Sequence, residues 1–141
     1  MRERLFSERV KDLGLPLDQL IVIGSGLLDQ LGIRAASDID LVVSNELFNA
    51  LKNDARWIVE YITNDETRYT SRDGSVEVWR GGWDKKGESM SYDELLADSV
   101  VYDDVQFVSL NFLKDWKMWH KRDKDVADIQ LIDQYLKGKE V

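Results

Sequence analysis

The chain has 141 residues, 19 Lys and Arg against 27 Asp and Glu, a formal charge of −8 and a hydrophobic share of 43%, which fits one globular domain over 1–141 and argues against disorder. Without cysteine and with a single histidine, it excludes a disulfide framework, a Cys zinc site, an iron–sulfur cluster, a cysteine nucleophile and a multi-His cage. No apolar run approaches the roughly 20 residues of a membrane helix and no apolar leader core follows Met1, so the expectation is a cytoplasmic protein off the membrane, whose acidity opposes broad nucleic-acid binding but leaves room for a local basic groove.

Residues 1–13 predict an amphipathic helix with Leu5, Phe6, Val10 and Leu13 near one face, ended by Gly14 and Pro16. Leu20 to Ile23 predicts a strand entering the turn Gly24-Ser25-Gly26, and Leu27, Leu28 and Leu31 continue as a short helix to Gly32. A second strand over Ile39 to Val43 follows Ser37-Asp38, and Asn45 to Leu51 reads as a helix. Trp57–Thr63, Thr67–Ser71 and Ser75–Arg80 read as strands, the last two joined by an Asp73-Gly74 hairpin turn. Gly81 to Glu88 is a loop by composition, and Ser91 with Glu94 fits a capping box for a helix to about Asp98. Val105 to Val108 is a last strand, Ser109 caps a helix to about Lys121, and a final helix over Lys124 to Lys137 carries Val126, Ile129, Ile132 and Leu136 inward. Early alternation with hairpins in the middle predicts an α/β (α+β) fold, a mixed, largely antiparallel sheet with helices packed on it.

Three segments carry chemistry. Gly24-Ser25-Gly26 lies where strand meets helix, a place where backbone can approach a phosphate; it also fits a tight turn with Ser25 as N-cap. Asp38 and Asp40 share one face of a strand, about 7 Å apart at Cα. Such a pair repels itself unless a cation intervenes, and the lack of His and Cys partners points to a hard, oxygen-liganded ion, Mg²⁺ or Mn²⁺; a solvated strand end fits the pair as well. Glu77 stands in Ser75-Val76-Glu77-Val78-Trp79 opposite the two valines, which suits either a metal site or an ordinary half-exposed strand.

Their order is more specific than any one of them. An apolar strand, Gly24-Ser25, twelve residues, then Asp38-Ile39-Asp40-Leu41-Val42-Val43, with a lone carboxylate on a later strand, resembles the small stand-alone nucleotidyltransferases of the DNA polymerase β superfamily. Near the C-terminus, Lys117, Arg122, Lys124-Asp125 and Asp128-Ile129 resemble the string that ends several bacterial nucleotidyltransferase-like families. The resemblance implies a polymerase β palm-like fold and metal-dependent transfer of a nucleoside monophosphate from an NTP to an acceptor hydroxyl. It implies Asp38, Asp40 and Glu77 as catalytic and metal-holding residues, Gly24 and Ser25 on the terminal phosphates, and Lys117 as charge compensation.

Residues 114–124 hold five basic side chains against Asp115 and Asp123, and Lys114, Lys117, Lys121 and Lys124 fall near one helical stripe. That stripe suits a triphosphate, or a solvated face with Lys121–Asp125 and Lys124–Asp128 pairs if one helix continues through both. Phe112, Trp116 and Trp119 read as core, and His120 has no catalytic role. A dinucleotide fold fits poorly, because position 29 is Asp and Asp38 and Asp40 open their strand rather than end it. A reading from another class is a catalytically silent binding or toxin–antitoxin module, with a partner protein, a second copy or an RNA. The acceptor stays open among small molecules, proteins and RNA.

Overall fold

Leu20, Ile21, Val22 and Ile23 are all buried, as a strand covered on both faces must be, and they form β1 (Leu20–Ile23) at the centre of a mixed sheet. The structure, a computed structural model, describes residues 5–62, 66–81, 83–85 and 88–139. Antiparallel to β1 lies β2 (Ile39–Val43), and parallel to β2 lies β5 (Val76–Trp79). The hairpin strands β3 (Trp57–Tyr61) and β4 (Thr67–Ser71) extend the sheet beyond β5 to one edge. On the other side β9 (Val105–Val108) runs parallel to β1 and pairs with β8 (Ser99–Tyr102) at the far edge. The seven-stranded order is therefore β3-β4-β5-β2-β1-β9-β8. Four of its six pairings are antiparallel, which agrees with the mixed, largely antiparallel expectation.

One face of this sheet is closed by α1 (Phe6–Lys11), α2 (Gly26–Gln30) and α3 (Asn45–Leu51). Phe6 meets Phe107 at 6.3 Å between ring centroids, and Phe48 meets Tyr69 at 4.8 Å. Gly26 is where α2 slides under α1: a Cβ there would stand 2.6 Å from the Phe6 ring and 2.7 Å from Val22. α4 (Tyr92–Ala97), α5 (Leu110–His120) and α6 (Asp123–Lys139) follow later in the chain. Ser91 and Glu94 close the predicted capping box on α4, and Ser109 caps α5 through the Phe112 amide. No helix among the described residues is long and apolar enough to cross a membrane.

Several expectations are corrected. Residues 1–4 and Thr63 lie outside the described residues; Leu5 is exposed and precedes α1, so the first helix is shorter on its described side. The loop expected from Gly81 to Glu88 contains β6 (Trp83–Lys85), which pairs with β7 (Glu88–Met90) as a separate two-stranded sheet; positions 82, 86 and 87 lie outside the described residues. β8 escaped sequence reading because its hairpin turns on Asp103 and Asp104, at φ 52° and 67°, with no glycine to mark it. Ser7 Oγ donates to Asp103 Oδ2 at 2.7 Å and Lys11 Nζ lies 3.0 Å from Asp103 Oδ1, which ties this turn to α1.

Lys121 adopts the left-handed conformation, φ 50°, and breaks the chain between α5 and α6. The four lysines therefore do not share one helix. Trp119, expected in the core, is 52% exposed, because the buried stripe of α5 drifts to Leu113, Trp116 and Lys117 and the helix ends at His120. Val126, expected inward, is 45% exposed; the inward positions of α6 are Asp125, Asp128 and Ile132. Gly26→Ala is expected to destabilise the protein by about 1–3 kcal/mol through overpacking against Phe6 and Val22, measured by urea unfolding; an unchanged midpoint would show that α1 can move away at no cost.

Candidate active site

Gly24 ends β1 at φ 69°, a conformation that glycine adopts without strain. A Cβ at this position would stand 3.0 Å from Asp40 Oδ2, so the bare backbone of Gly24 is what lets the Asp40 carboxylate sit over the turn. Ser25 follows at the N-cap position of α2 but makes no side-chain cap. Its hydroxyl instead accepts from Arg34 Nη2 at 2.8 Å. Gly26 serves helix packing, so the two glycines of the turn have different physical reasons.

The parallel pairing of β2 with β5 sets Asp40 directly beside Glu77. Neighbours in register point to the same side of a sheet, and Asp40 feels the Glu77 carboxyl both as a charge and as a hydrogen-bond partner. Burial, the Glu77 charge and the Asp38 charge push Asp40 up to about 6. Glu77 also faces Arg68, whose Nη1 lies 3.1 Å from Glu77 Oε1. Asp29, a buried residue of α2, accepts from the Ala36 amide at 2.8 Å and steadies the segment that delivers Asp38.

Opposite the carboxylates stands a knot of charge from α5 and α6. Lys117 is only 3% exposed, with Nζ 2.9 Å from Asp128 Oδ2 and 3.7 Å from Asp125 Oδ1. Arg122 grips Asp125 with Nε at 2.7 Å and Nη2 at 3.0 Å, and stacks over Trp116 at 5.0 Å. Arg34 grips Asp128 with Nε at 2.6 Å and Nη2 at 2.8 Å. Burial works to raise both aspartates, but Arg122 bonds on Asp125, and Arg34 and Lys117 bonds on Asp128, hold them below the ordinary carboxylate range. Through Arg34 the knot reaches Ser25, and so the glycine turn.

Between these walls lies a cleft of about 510 Å³. Its lining includes Gly24, Ser25, Asp38 and Asp40 together with Arg34, Lys117, Arg122 and Lys124; Glu77 is not among the lining residues. Among the described residues no group of three or more His, Cys, Asp or Glu stands placed to hold a metal ion. The carboxylates at hand are all-oxygen donors crowded enough to raise Asp40, which is donor chemistry suited to a hard divalent cation, with Glu77 shared with Arg68. Comparison with protein-family models, curated proteins and solved structures finds no match.

The structure thus brings Gly24, Ser25, Asp38, Asp40 and Lys117 to one cleft and sets Glu77 against Asp40. It places Lys117 deep in the wall on two aspartates, rather than on an open stripe. Sequence reading left Arg34 out; the sign of it was an arginine in the twelve-residue connection between turn and Asp-x-Asp. Arg122, Asp125 and Asp128 stood in the C-terminal string, without a sign that they pair with Lys117 and Arg34.

Two outcomes follow from this electrostatics. Asp40 is protonated in both folded and unfolded chains at low pH; between 3.8 and about 6 the unfolded chain ionises first, so stability from this group is lost as pH rises through that window. At about 1.4 kcal/mol per pKa unit the loss approaches roughly 3 kcal/mol. Urea unfolding across that window is expected to show Asp40→Asn gaining on the wild type as pH rises, whereas parallel profiles would contradict the shift. Lys117→Ala removes a buried charged partner of Asp128 while Arg34 and Arg122 still hold the two aspartates, and it is expected to cost about 1.5–3 kcal/mol. Lys114→Ala, which removes only the partly exposed pair with Asp133 at 2.6 Å, costs under about 1 kcal/mol; equal losses in thermal melts would show that Lys117 is not buried with its partners.

Proposed function

We propose that the protein is a metal-dependent nucleotidyltransferase of the polymerase β palm type, working in the cytoplasm. The observation that carries this reading is the register of Asp40 on Glu77 directly over the Gly24 turn. It pairs two of the three carboxylates that the order of motifs implied, with the Asp38 charge acting on Asp40. The donor is an NTP and the acceptor supplies a hydroxyl. The acceptor oxygen forms a bond to the α-phosphorus as the bond to pyrophosphate breaks, and the acceptor proton passes to a carboxylate.

Asp38 and Asp40 would hold Mg²⁺ or Mn²⁺ with Glu77, and the bound ion supplies charge neutralisation at the triphosphate. Gly24 offers its N–H and Ser25 its hydroxyl to the terminal phosphates, with Arg34 orienting Ser25. Lys117 contributes positive potential from within the wall, and Lys124 and Arg122 add to it at the cleft. Rate then comes from positioning and fixed electrostatics rather than from a covalent intermediate.

The binding-module reading draws on one observation, the Arg68–Glu77 ion pair, which occupies an oxygen of the third carboxylate. The two readings part on a simple experiment. Incubation with each labelled NTP and Mg²⁺ is expected to release pyrophosphate or transfer label, and metal plus the right NTP to raise the melting temperature. Stabilisation of about 2.7 kcal/mol is expected at a hundredfold excess over Kd, and Asp40→Asn removes it. Stabilisation without turnover supports the silent module, and no response to any NTP rejects the nucleotide site.

A further inference from the structure

Arg68 on β4 is a charged group set against the carboxylate pair and has no part in the proposed transfer. Its guanidinium is held on three sides. Nε and Nη2 donate to Glu60 Oε2 at 3.0 and 2.8 Å, the plane lies 5.1 Å over the Trp79 ring, and Nη1 is left facing Glu77 Oε1 at 3.1 Å. Glu60, on the edge strand β3, also accepts from Thr70 Oγ1 at 3.3 Å. The strand register makes this assembly: Glu60 pairs with Arg68, Arg68 with Trp79, and Thr70 with Glu77.

We propose that Arg68 is a positioning residue that aims the Glu77 carboxylate at Asp40, with Glu60 fixing Arg68 in turn. The proposal rests on the nucleotidyl-transfer reading of the cleft. A glutamate on an open sheet face has several rotamers, and repulsion from Asp40 and Asp38 would swing it away from the site. A fork donor fixed by a second carboxylate and an aromatic face selects one of them, because the planar guanidinium can stack and bond at two edges at once. Arg68 takes Oε1 of Glu77, leaving its second oxygen for the Asp40 side. A lysine would keep the charge but neither the fork nor the stacking.

The test is a mutant cycle read by binding. The readout is the Mg²⁺ concentration that gives half of the NTP-induced rise in melting temperature, for wild type, Arg68→Gln, Arg68→Lys, Glu60→Gln, Glu77→Gln and the double variant Arg68→Gln/Glu77→Gln. Arg68→Gln is expected to raise that concentration about tenfold, within the range that residues orienting metal ligands command. Arg68→Lys stays closer to Arg68→Gln than to wild type, and Glu60→Gln gives a smaller rise in the same direction. In the Glu77→Gln background Arg68→Gln adds nothing. A purely structural role would lower the melting temperature of the metal-free protein and leave the Mg²⁺ midpoint where it was. An unchanged midpoint, full restoration by lysine, or an equal shift without Glu77 each overturns the proposal. A wild type that shows no metal-dependent rise overturns the cleft reading itself, and this proposal with it.

Discussion

The parallel register that sets Asp40 beside Glu77 is the constraint around which the cleft is arranged. Two carboxylates in adjacent strands, with Asp38 two residues away, repel one another in a half-buried place. The surroundings answer that repulsion in three ways. Asp40 rises to about 6, Arg68 closes on Glu77, and the backbone at Gly24 is stripped of a side chain so that Asp40 can lean over the turn. The first two depend on β2 and β5 meeting in this one register, and the third on the pairing of Ile23 with Asp40 between β1 and β2. A slip of β5 by one residue would turn Glu77 to the opposite face of the sheet, away from Asp40.

The second organising device is the ion network at the α5–α6 corner. The two aspartates inside it are fully or nearly buried, and their partners come from α5, from the corner and from the segment after α2. Buried charges of this kind cost more in desolvation than an apolar seam would, unless every partner is present. Here the partners form a chain from Asp125 through Lys117 and Asp128 to Arg34 and on to Ser25. The corner is thereby tied to the glycine turn across the cleft. The same network sets the phase of α6, since it turns Asp125 and Asp128 inward and leaves Val126 about a hundred degrees around the helix, in solvent.

Much of this was legible along the chain. Strong local codes marked β1, β2, α3, the β3–β4–β5 meander, the capping box of α4 and the Ser109 cap, because apolar runs, turn residues and caps act over a few positions. Asp38, Asp40, Gly24 and Glu77 stood out for the same reason: carboxylates and glycines at strand positions conflict with local preference. What escaped was whatever lacks a strong local mark. β8 is a strand only because β9 lies beside it, and β6 and β7 only because they pair with each other. Trp119 and Val126 have the spacing of core residues, yet the end of α5 and the phase of α6 expose them.

The sequence by itself determined the order of the elements, the alternation that puts Val76 and Val78 on one face and Glu77 on the other, and the charge types available to the cleft. Only the tertiary structure decided which charges meet. Lys117, Arg122, Asp125 and Asp128 are neighbours in sequence, but Arg34 joins them from 94 residues away, and Arg68 reaches Glu77 from the adjacent strand. Side-chain chemistry is carried by each residue alone, whereas a salt bridge depends on distance and on exclusion of water, and both exist only once the sheet has closed and the helices have packed against it.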